Sequence, residues 1–196
     1  MHMSKNLILA SGSKYKQALL QRLHIPFNAI AADIDESPLS NETAKELAKR
    51  LSITKAQVIA EQHPESWIIG CDQVASCNQQ FLNKPDNKDN AIRQLQLCSN
   101  QEVVFTTGVS LYRHQDQSLN YDSNTVTVKF RELSLPEIES YLDKDKPYDC
   151  AGSFKVESLG ITLFEWVKSD DPTSLEGLPL ITVCRLLRKA GIEQLN

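Results

Sequence analysis

The sequence has no long hydrophobic run, no excess of basic residues and no paired cysteines. Its apolar stretches fall far short of the roughly 20 residues that a membrane helix needs. The apolar part of residues 6–10 is also too short for the core of a signal peptide. With 21 basic and 25 acidic residues the net charge is −4, and the basic residues are scattered along the chain. These absences argue against a membrane protein and against a nucleic-acid-binding surface, and they predict a cytoplasmic location.

Cysteine and histidine also lack the spacing of a catalytic or metal site. The five cysteines are odd in number and contain no CxxC pair, so we expect reduced thiols. Cys71 and Cys150 lie next to polar motifs, but neither has an activating residue beside it in the sequence. We therefore expect both to pack as small hydrophobic side chains. The four histidines show no metal-ligand spacing.

The hydrophobic pattern alternates between strand and helix periods along the chain. Strands are predicted at residues 6–10, 27–31, 67–72, 103–112, 118–130 and 161–167, and helices at 15–23, 43–62, 87–98, 135–142 and 179–189. Neither repeats nor long linkers interrupt this order. The sequence therefore predicts a single α/β domain over residues 3–196, with a mixed sheet folded around a cleft.

The most informative segment is an apolar run that ends in a carboxylate. Residues 67–71 contain two adjacent isoleucines and predict a buried strand, which Asp72 and Gln73 follow. A carboxylate at the end of a buried strand is costly unless a metal, a lysine or a reacting group compensates its charge. Lys84, twelve residues later, is a candidate for that compensating cation.

A second candidate element lies near the N-terminus. The apolar residues 7–9 lead through Ser11, Gly12 and Ser13 into a predicted helix. A small-residue loop before a helix presents backbone N–H groups to an anion. Together with Asp72, this loop predicts a site that holds a phosphate-bearing ligand beside an acidic residue.

A series of short motifs runs through the whole chain. They are Leu9–Ser13, Asp35-Glu36, Lys55-Ala56, Gly70–Gln73, Asn83–Pro85, Gly108, Phe130, Ala151–Phe154 and Gly177–Leu180. In this order they resemble the Maf family of nucleoside triphosphate pyrophosphatases. Residues 72–73, 150–155 and 160–165 are similar to the YceF-like branch, whose members act on 7-methyl-GTP. The resemblance implies a Maf/Ham1-like fold, an elongated and twisted mixed sheet flanked by helices, with a nucleotide cleft between two lobes.

The resemblance also implies a reaction and a set of site residues. The reaction is hydrolysis between the α- and β-phosphates, which gives a nucleoside monophosphate and pyrophosphate. Asp72 matches the proposed general base, and with Glu36 it matches the ligands of a divalent cation, Mg²⁺ or Mn²⁺. The implied substrate-binding residues are Ser11, Ser13, Lys16, Lys55 and Lys84. The lysines and the divalent cation neutralise the charge of a polyphosphate. A small-molecule nucleotide is the implied partner, and a homodimer is the implied assembly.

Residues 14–17 depart from the family pattern. The family usually has a proline and then arginines after the loop serine, whereas this chain has Lys14-Tyr15-Lys16-Gln17. Lys16 falls where the more constant arginine lies. It keeps the positive charge but loses the planar fork that binds phosphate through two hydrogen bonds.

Three residues match positions that set substrate specificity in the YceF-like branch. Tyr15 offers an aromatic face to a methylated, cationic guanine. Glu157 is able to accept hydrogen bonds from the guanine N1–H and N2 donors, and Gln73 completes the set.

Two other functions and one simpler interpretation remain open at this point. The chain is also compatible with a pyrophosphatase for dTTP or UTP, or with a nucleotide-binding regulator that has little turnover. Without the resemblance, Lys55 and Lys84 would be interpreted as solvated surface charges.

Overall fold

The chain alternates strands and helices, as the hydrophobic pattern predicts. The computed structural model describes residues 6–193 and residue 195. The strands are β1 (Leu7–Leu9), β2 (Asn28–Ala29), β3 (Trp67–Cys77), β4 (Gln80–Leu82), β5 (Glu102–Arg113), β6 (Ser118–Phe130) and β7 (Phe164–Ser169). The helices are α1 (Lys14–Gln21), α2 (Ala44–Gln62), α3 (Lys88–Cys98), α4 (Leu135–Asp145) and α5 (Leu180–Lys189). Among the described residues, no helix is both long and apolar enough to cross a membrane.

The strands form one mixed sheet, which confirms the predicted α/β class. Their order is β2-β1-β3-β5-β6-β7, and β4 pairs with β3 outside this path. β1 runs parallel to β2 and β3, whereas β3–β4 and β6–β7 are antiparallel. β1 is fully apolar because helices cover both of its faces.

The contacts within the chain define two compact units. The first contains the described residues of Met1–Gln73, Thr107–Asn124 and Asp171–Asn196, and the second contains Val74–Thr106 and Thr125–Asp170. The predicted assignment of residues 3–196 to a single domain stays a prediction.

The first unit is built on β1 and the first half of β3. One face of these strands packs against α1 and α5, where Leu9, Ile69 and Leu186 are almost fully buried. Helix α2 covers the other face with Ala56 and Ile59. This layered packing fixes α2 and β3, the two elements that carry Lys55, Asp72 and Gln73.

Helix α2 begins with a capping box that its sequence encodes. The Thr43 hydroxyl accepts from the Glu46 backbone N–H, and the Glu46 carboxylate accepts from the Thr43 backbone N–H at 2.9 Å. This reciprocal pair satisfies two N–H groups that the helix itself leaves unpaired. The start of α2, and hence the direction of Lys55 three turns later, is therefore set locally.

The second unit has its own aromatic core. Phe105, Phe130, Phe154 and Phe164 meet edge to face, with ring centroids 4.9–5.8 Å apart. Gly152, with φ +78°, makes the turn that brings Phe154 into this cluster. The motif at residues 151–154 thus has a structural role in this unit.

Several sequence-based boundaries were wrong, and two of them have a clear structural reason. Strand β3 does not end at Asp72 but continues to Cys77, because its second half pairs with β4 through Ala75 and Leu82. The last strand begins at Phe164 rather than at residue 161, since a 3₁₀ turn occupies Leu159–Leu163.

Candidate functional site

The centre of the candidate site is a cluster of one lysine and two carboxylates. The Lys55 Nζ lies 2.6 Å from Asp72 Oδ1 and 2.5 Å from Glu36 Oε1. Lys55 and Asp72 are 8% and 7% exposed, whereas Glu36 projects from an exposed loop. Lys55 is therefore not the solvated surface charge that its isolated position in the sequence would suggest.

Close backbone packing between α2 and β3 creates this cluster. A Cβ placed on Gly70 would lie only 1.9 Å from the Ser52 carbonyl oxygen, so the two backbones are in direct contact there. Ser52 and Lys55 share one face of α2, and Gly70 and Asp72 share one face of β3. Contact at the first pair therefore brings the second pair within hydrogen-bond distance.

A second glycine supports the same contact from the neighbouring strand. A Cβ on Gly108 of β5 would lie 2.5 Å from the Ala48 carbonyl oxygen, one turn before Ser52. The Ser110 hydroxyl donates to the Ser52 carbonyl oxygen at 2.8 Å. The helix is thus held against two strands at successive turns.

The cluster carries more negative than positive charge. Burial lowers the pKa of Lys55, but the contacts with Asp72 and Glu36 outweigh burial and raise that pKa above its ordinary value. Lys55 is therefore charged at neutral pH and balances one of the two carboxylates. The remaining negative charge favours a further cation at this position.

Lys16 and the N-terminus of α1 lie next to β3. The Lys16 Nζ donates to the Cys71 carbonyl oxygen at 3.4 Å, one residue before Asp72. Ser13 caps α1 by accepting from the Lys16 backbone N–H, and Ser11 accepts from the Ser13 backbone N–H at 3.2 Å. These residues place a helix N-terminus and an ammonium group close together, an arrangement that suits an anion.

Gln73 is held by two acceptors within the same unit. Its Nε2 donates to the Ser174 carbonyl oxygen at 2.7 Å and to the Thr107 hydroxyl at 3.0 Å. Tyr15, the other specificity candidate in this unit, is half-buried in the first turn of α1.

Cys71 is buried and Cys150 is half-buried, and the pKa of each thiol is raised. Burial raises the pKa of Cys71, which donates its S–H to the Gly177 carbonyl oxygen. Burial, with a further contribution from the Asp149 carboxylate, raises the pKa of Cys150 to about 12. Neither thiol is activated as a nucleophile, in agreement with the sequence analysis.

Lys84 and Glu157 belong to the second unit. Lys84 is exposed on a loop whose neighbouring carbonyl groups, at Asn83 and Pro85, accept from side chains of α3. Glu157 is exposed on a compact loop in which the Lys155 carbonyl accepts from two backbone N–H groups. Hydrogen bonds to their backbone carbonyl groups therefore stabilise both loops.

A surface cavity of about 530 Å³ lies elsewhere on α2. It is lined by Leu39, Ser40, Asn41, Glu42, Glu46, Lys49, Arg50, Ile53 and Thr54. None of the predicted site residues lines it, so this cavity is not evidence for the predicted site.

Comparison with known proteins decides the family. The profile of the Maf-like proteins matches residues 6–190. The chain belongs to the Maf family. Its relatives in this family include "7-methyl-GTP pyrophosphatase" of Albidiferax ferrireducens, 45% identical over 192 residues that cover 98% of this chain and 96% of the relative. The protein of the same name from Methylobacillus flagellatus is 46% identical over 95% of this chain and 97% of its own length. That of Idiomarina loihiensis is 42% identical over 99% of both chains.

Within this Maf protein, the structure brings together most of the predicted site residues of the first unit. Lys55, Asp72 and Glu36 are in direct contact, and Lys16 approaches the backbone beside Asp72. The individual roles of these residues stay predictions. The sequence analysis missed Thr107 and Ser174, which hold Gln73, because their partner lies 34 and 101 residues away in the chain.

Proposed function

We propose that this protein hydrolyses nucleoside triphosphates between the α- and β-phosphates and that 7-methyl-GTP is its preferred substrate. The names of relatives that match nearly the whole chain support both statements. The observation that carries the proposal is the contact of the buried Lys55–Asp72 pair with the exposed carboxylate of Glu36. A lysine and two carboxylates in one place suit a reaction in which water attacks a highly charged phosphate.

In the proposed reaction, a water oxygen forms a bond to the α-phosphorus. The bond from that phosphorus to the bridging oxygen breaks, and pyrophosphate leaves with the electron pair. Asp72 orients the water and accepts its proton. Positive groups neutralise the phosphate charge that develops, and we assign this role to Lys16, Lys55 and Lys84. Ser11 and Ser13 orient the phosphate chain.

The donor chemistry of the cluster fits a divalent cation. Glu36 and Asp72 offer hard oxygen ligands within about 5 Å of each other, since both contact the same Lys55 Nζ. Mg²⁺ is commonly bound through one or two carboxylates together with substrate phosphates. The described residues contain no group of three or more potential His, Cys, Asp or Glu ligands. When bound, Mg²⁺ or Mn²⁺ would neutralise phosphate charge and orient the attacked group.

The preference for a methylated base rests on three side chains. Methylation at N7 makes guanine cationic, and the ring of Tyr15 would attract it by about 2 kcal/mol in a desolvated contact. Glu157 and Gln73 offer acceptors for guanine donors, and an unpaired acceptor penalises a base that lacks them. A preference for dTTP or UTP is the alternative within the family, and a regulator with little turnover is the alternative outside it.

We also propose a cytoplasmic homodimer that binds neither nucleic acid nor membrane. All five cysteines are free thiols, which suits a reducing compartment. The net charge of −4 and the scattered basic residues do not favour binding to nucleic acid.

The test is pyrophosphate release from 7-methyl-GTP, GTP, dTTP and UTP, with and without Mg²⁺ or Mn²⁺. We expect kcat/KM for 7-methyl-GTP to exceed the others by more than about tenfold. Asp72→Asn, which keeps the side-chain shape, should abolish turnover. Asp116→Asn, at an exposed carboxylate paired with Arg113, is the matched control and should retain it.

Each opposite result has a definite meaning. Equal rates on dTTP and 7-methyl-GTP would contradict the substrate preference. Wild-type turnover in a folded Asp72→Asn protein would remove Asp72 from the mechanism. No pyrophosphate from any nucleotide would favour the regulator.

A further inference from the structure

The amide of Gln73 has a defined orientation. Its Nε2 faces the Ser174 carbonyl oxygen, which is able only to accept, so the nitrogen and not the oxygen must point there. The Thr107 hydroxyl accepts the second amide hydrogen. This leaves Oε1 of Gln73 as a fixed acceptor. Loss of the Ser174 contact would let the amide rotate and offer a donor instead.

The Ser174 carbonyl is itself held by a short turn. The Ser174 backbone N–H donates to the Asp171 carbonyl oxygen at 3.1 Å, and the Gly177 backbone N–H donates to the Ser174 carbonyl oxygen at 3.0 Å. Gly177 has φ +109°, a conformation that glycine adopts without strain. The turn also contacts the predicted site through the Gly177 carbonyl, which accepts from the Cys71 thiol.

A buried carboxylate ties this turn to helix α5. Asp171 is 1% exposed. Its Oδ1 accepts from the Thr173 N–H and hydroxyl at 3.1 and 2.8 Å, and its Oδ2 accepts from the N–H groups of Ile181 and Thr182 at 2.7 and 3.4 Å. The N-cap position of α5 is Pro179, which makes no side-chain cap. Asp171 therefore caps this helix from eight residues upstream, where a negative charge is favoured.

Thr173 completes the connection between the carboxylate and the turn. Its hydroxyl oxygen accepts from the Leu180 backbone N–H at 2.8 Å, and it lies within donor distance of Asp171 Oδ1 at 2.8 Å and of the Leu178 carbonyl oxygen at 2.9 Å. The side chain thus bridges both ends of the loop that contains Ser174. Since α5 is anchored in the core by Val183, the loop is fixed relative to β3.

We propose that Asp171, acting through Thr173, is a positioning residue that fixes the orientation of the Gln73 amide and thereby the base selectivity of the site. This inference rests on the proposed function. Gln73 presents an acceptor that suits the N1–H of guanine. A base such as cytosine, with an acceptor at the corresponding ring nitrogen, is disfavoured only while the amide cannot rotate.

The first experiment removes the Thr173 hydroxyl and measures selectivity. Thr173→Val should lower the ratio of kcat/KM for 7-methyl-GTP to kcat/KM for CTP by about fivefold to tenfold, the size of one hydrogen bond. Thr173→Ser should restore the ratio. Thr182→Val makes the same change at another buried threonine whose side chain is outside this connection, and it should leave the ratio unchanged. An unchanged ratio in Thr173→Val with a lowered Tm would overturn the proposal, because the residue would then be purely structural.

A double-mutant cycle tests the route through Gln73. In a Gln73→Ala background, Thr173→Val should have no further effect on the ratio. A full effect in that background would show that Thr173 does not act through Gln73. Asp171→Asn should reproduce the loss of selectivity, since its amide nitrogen is unable to accept from Ile181.

A spectroscopic readout separates this proposal from the proposed function. The ¹⁵N–¹H signals of the Gln73 side-chain amide should be sharp and protected from exchange in the wild type and broadened in Thr173→Val. Unchanged signals would overturn the proposal even if the enzyme is active. Absence of pyrophosphate release from the wild type would refute the proposed function instead, and the amide signals would still decide whether Thr173 holds Gln73.

Discussion

The substitution Gly70→Ala tests whether backbone contact between α2 and β3 builds the site. The new Cβ would lie 1.9 Å from the Ser52 carbonyl oxygen, 2.7 Å from the Ser110 hydroxyl and 3.0 Å from the Ala56 Cβ. The nearest of these atoms belongs to the helix backbone and has no rotamer to change. Because carbon–oxygen contacts shorter than about 3 Å are not tolerated, α2 must move away from β3 by about 1 Å.

That movement has a calculable effect on the charged cluster. The distance from Lys55 Nζ to Asp72 Oδ1, now 2.6 Å, would grow to about 3.6 Å, beyond the range of a hydrogen bond. Overpacking costs about 1–3 kcal/mol, and weakening a buried ion pair adds to this cost. For a chain of this length we expect a fall in Tm of about 5–10 °C together with a large loss of kcat.

Thermal unfolding followed by circular dichroism, and pyrophosphate release, measure the two effects. Gly12→Ala is the matched control for stability, because its Cβ would meet only the Ala31 Cβ at 3.3 Å, and its Tm should change little. A Gly70→Ala protein with the Tm and the turnover of the wild type would refute the reasoning.

Three further predictions concern single side chains. Lys16→Ala should reduce kcat/KM by at least about tenfold while Lys16→Arg is tolerated, and indifference to Lys16→Ala would mean that Lys16 does not contact phosphate. The pair with Arg50 lowers the pKa of Glu42 from 4.5 to about 2. Its stabilisation is therefore present above pH 4.5 and is lost as the pH falls towards 2, so the Tm difference between wild type and Glu42→Gln should shrink over that range. Because the pKa of the half-buried Cys150 is raised to about 12, its alkylation by iodoacetamide at pH 8 should be far slower than that of a thiol with an ordinary pKa, and rapid labelling would contradict the raised pKa.

Local sequence signals predicted the elements well where they depend on neighbouring residues. The helices at residues 43–62 and 179–189 were predicted from the hydrophobic pattern alone, and the capping box that the structure shows at Thr43 and Glu46 is likewise a local feature. The extent of β3 was missed because its second half, after Asp72, is kept in the sheet by pairing with β4. An isolated apolar run indicates burial but does not show where pairing ends.

The candidate site was also predicted only in part, because some of its contacts depend on residues that are distant in the sequence. Asp72 was predicted from its apolar surroundings, because a buried carboxylate in a strand needs a partner. The sequence analysis offered Lys84 as that partner, whereas the structure pairs Asp72 with Lys55. Lys55 lies 17 residues away on a helix, and its burial follows from the contact at Gly70. Asp171 was also missed, although a proline at the start of α5 leaves the helix without a local side-chain cap.

The lysine between the two carboxylates also bears on how the protein folds and persists in a cell. A buried acidic group balanced only by a bound metal makes folding depend on metal supply, so that scarcity lowers the amount of native protein. Here Asp72 has its counter-charge within the chain, in Lys55. The native state can therefore form before any cation arrives. Metal concentration would then act chiefly on turnover, and its effect on stability would be the ordinary stabilisation that any ligand of the native state brings.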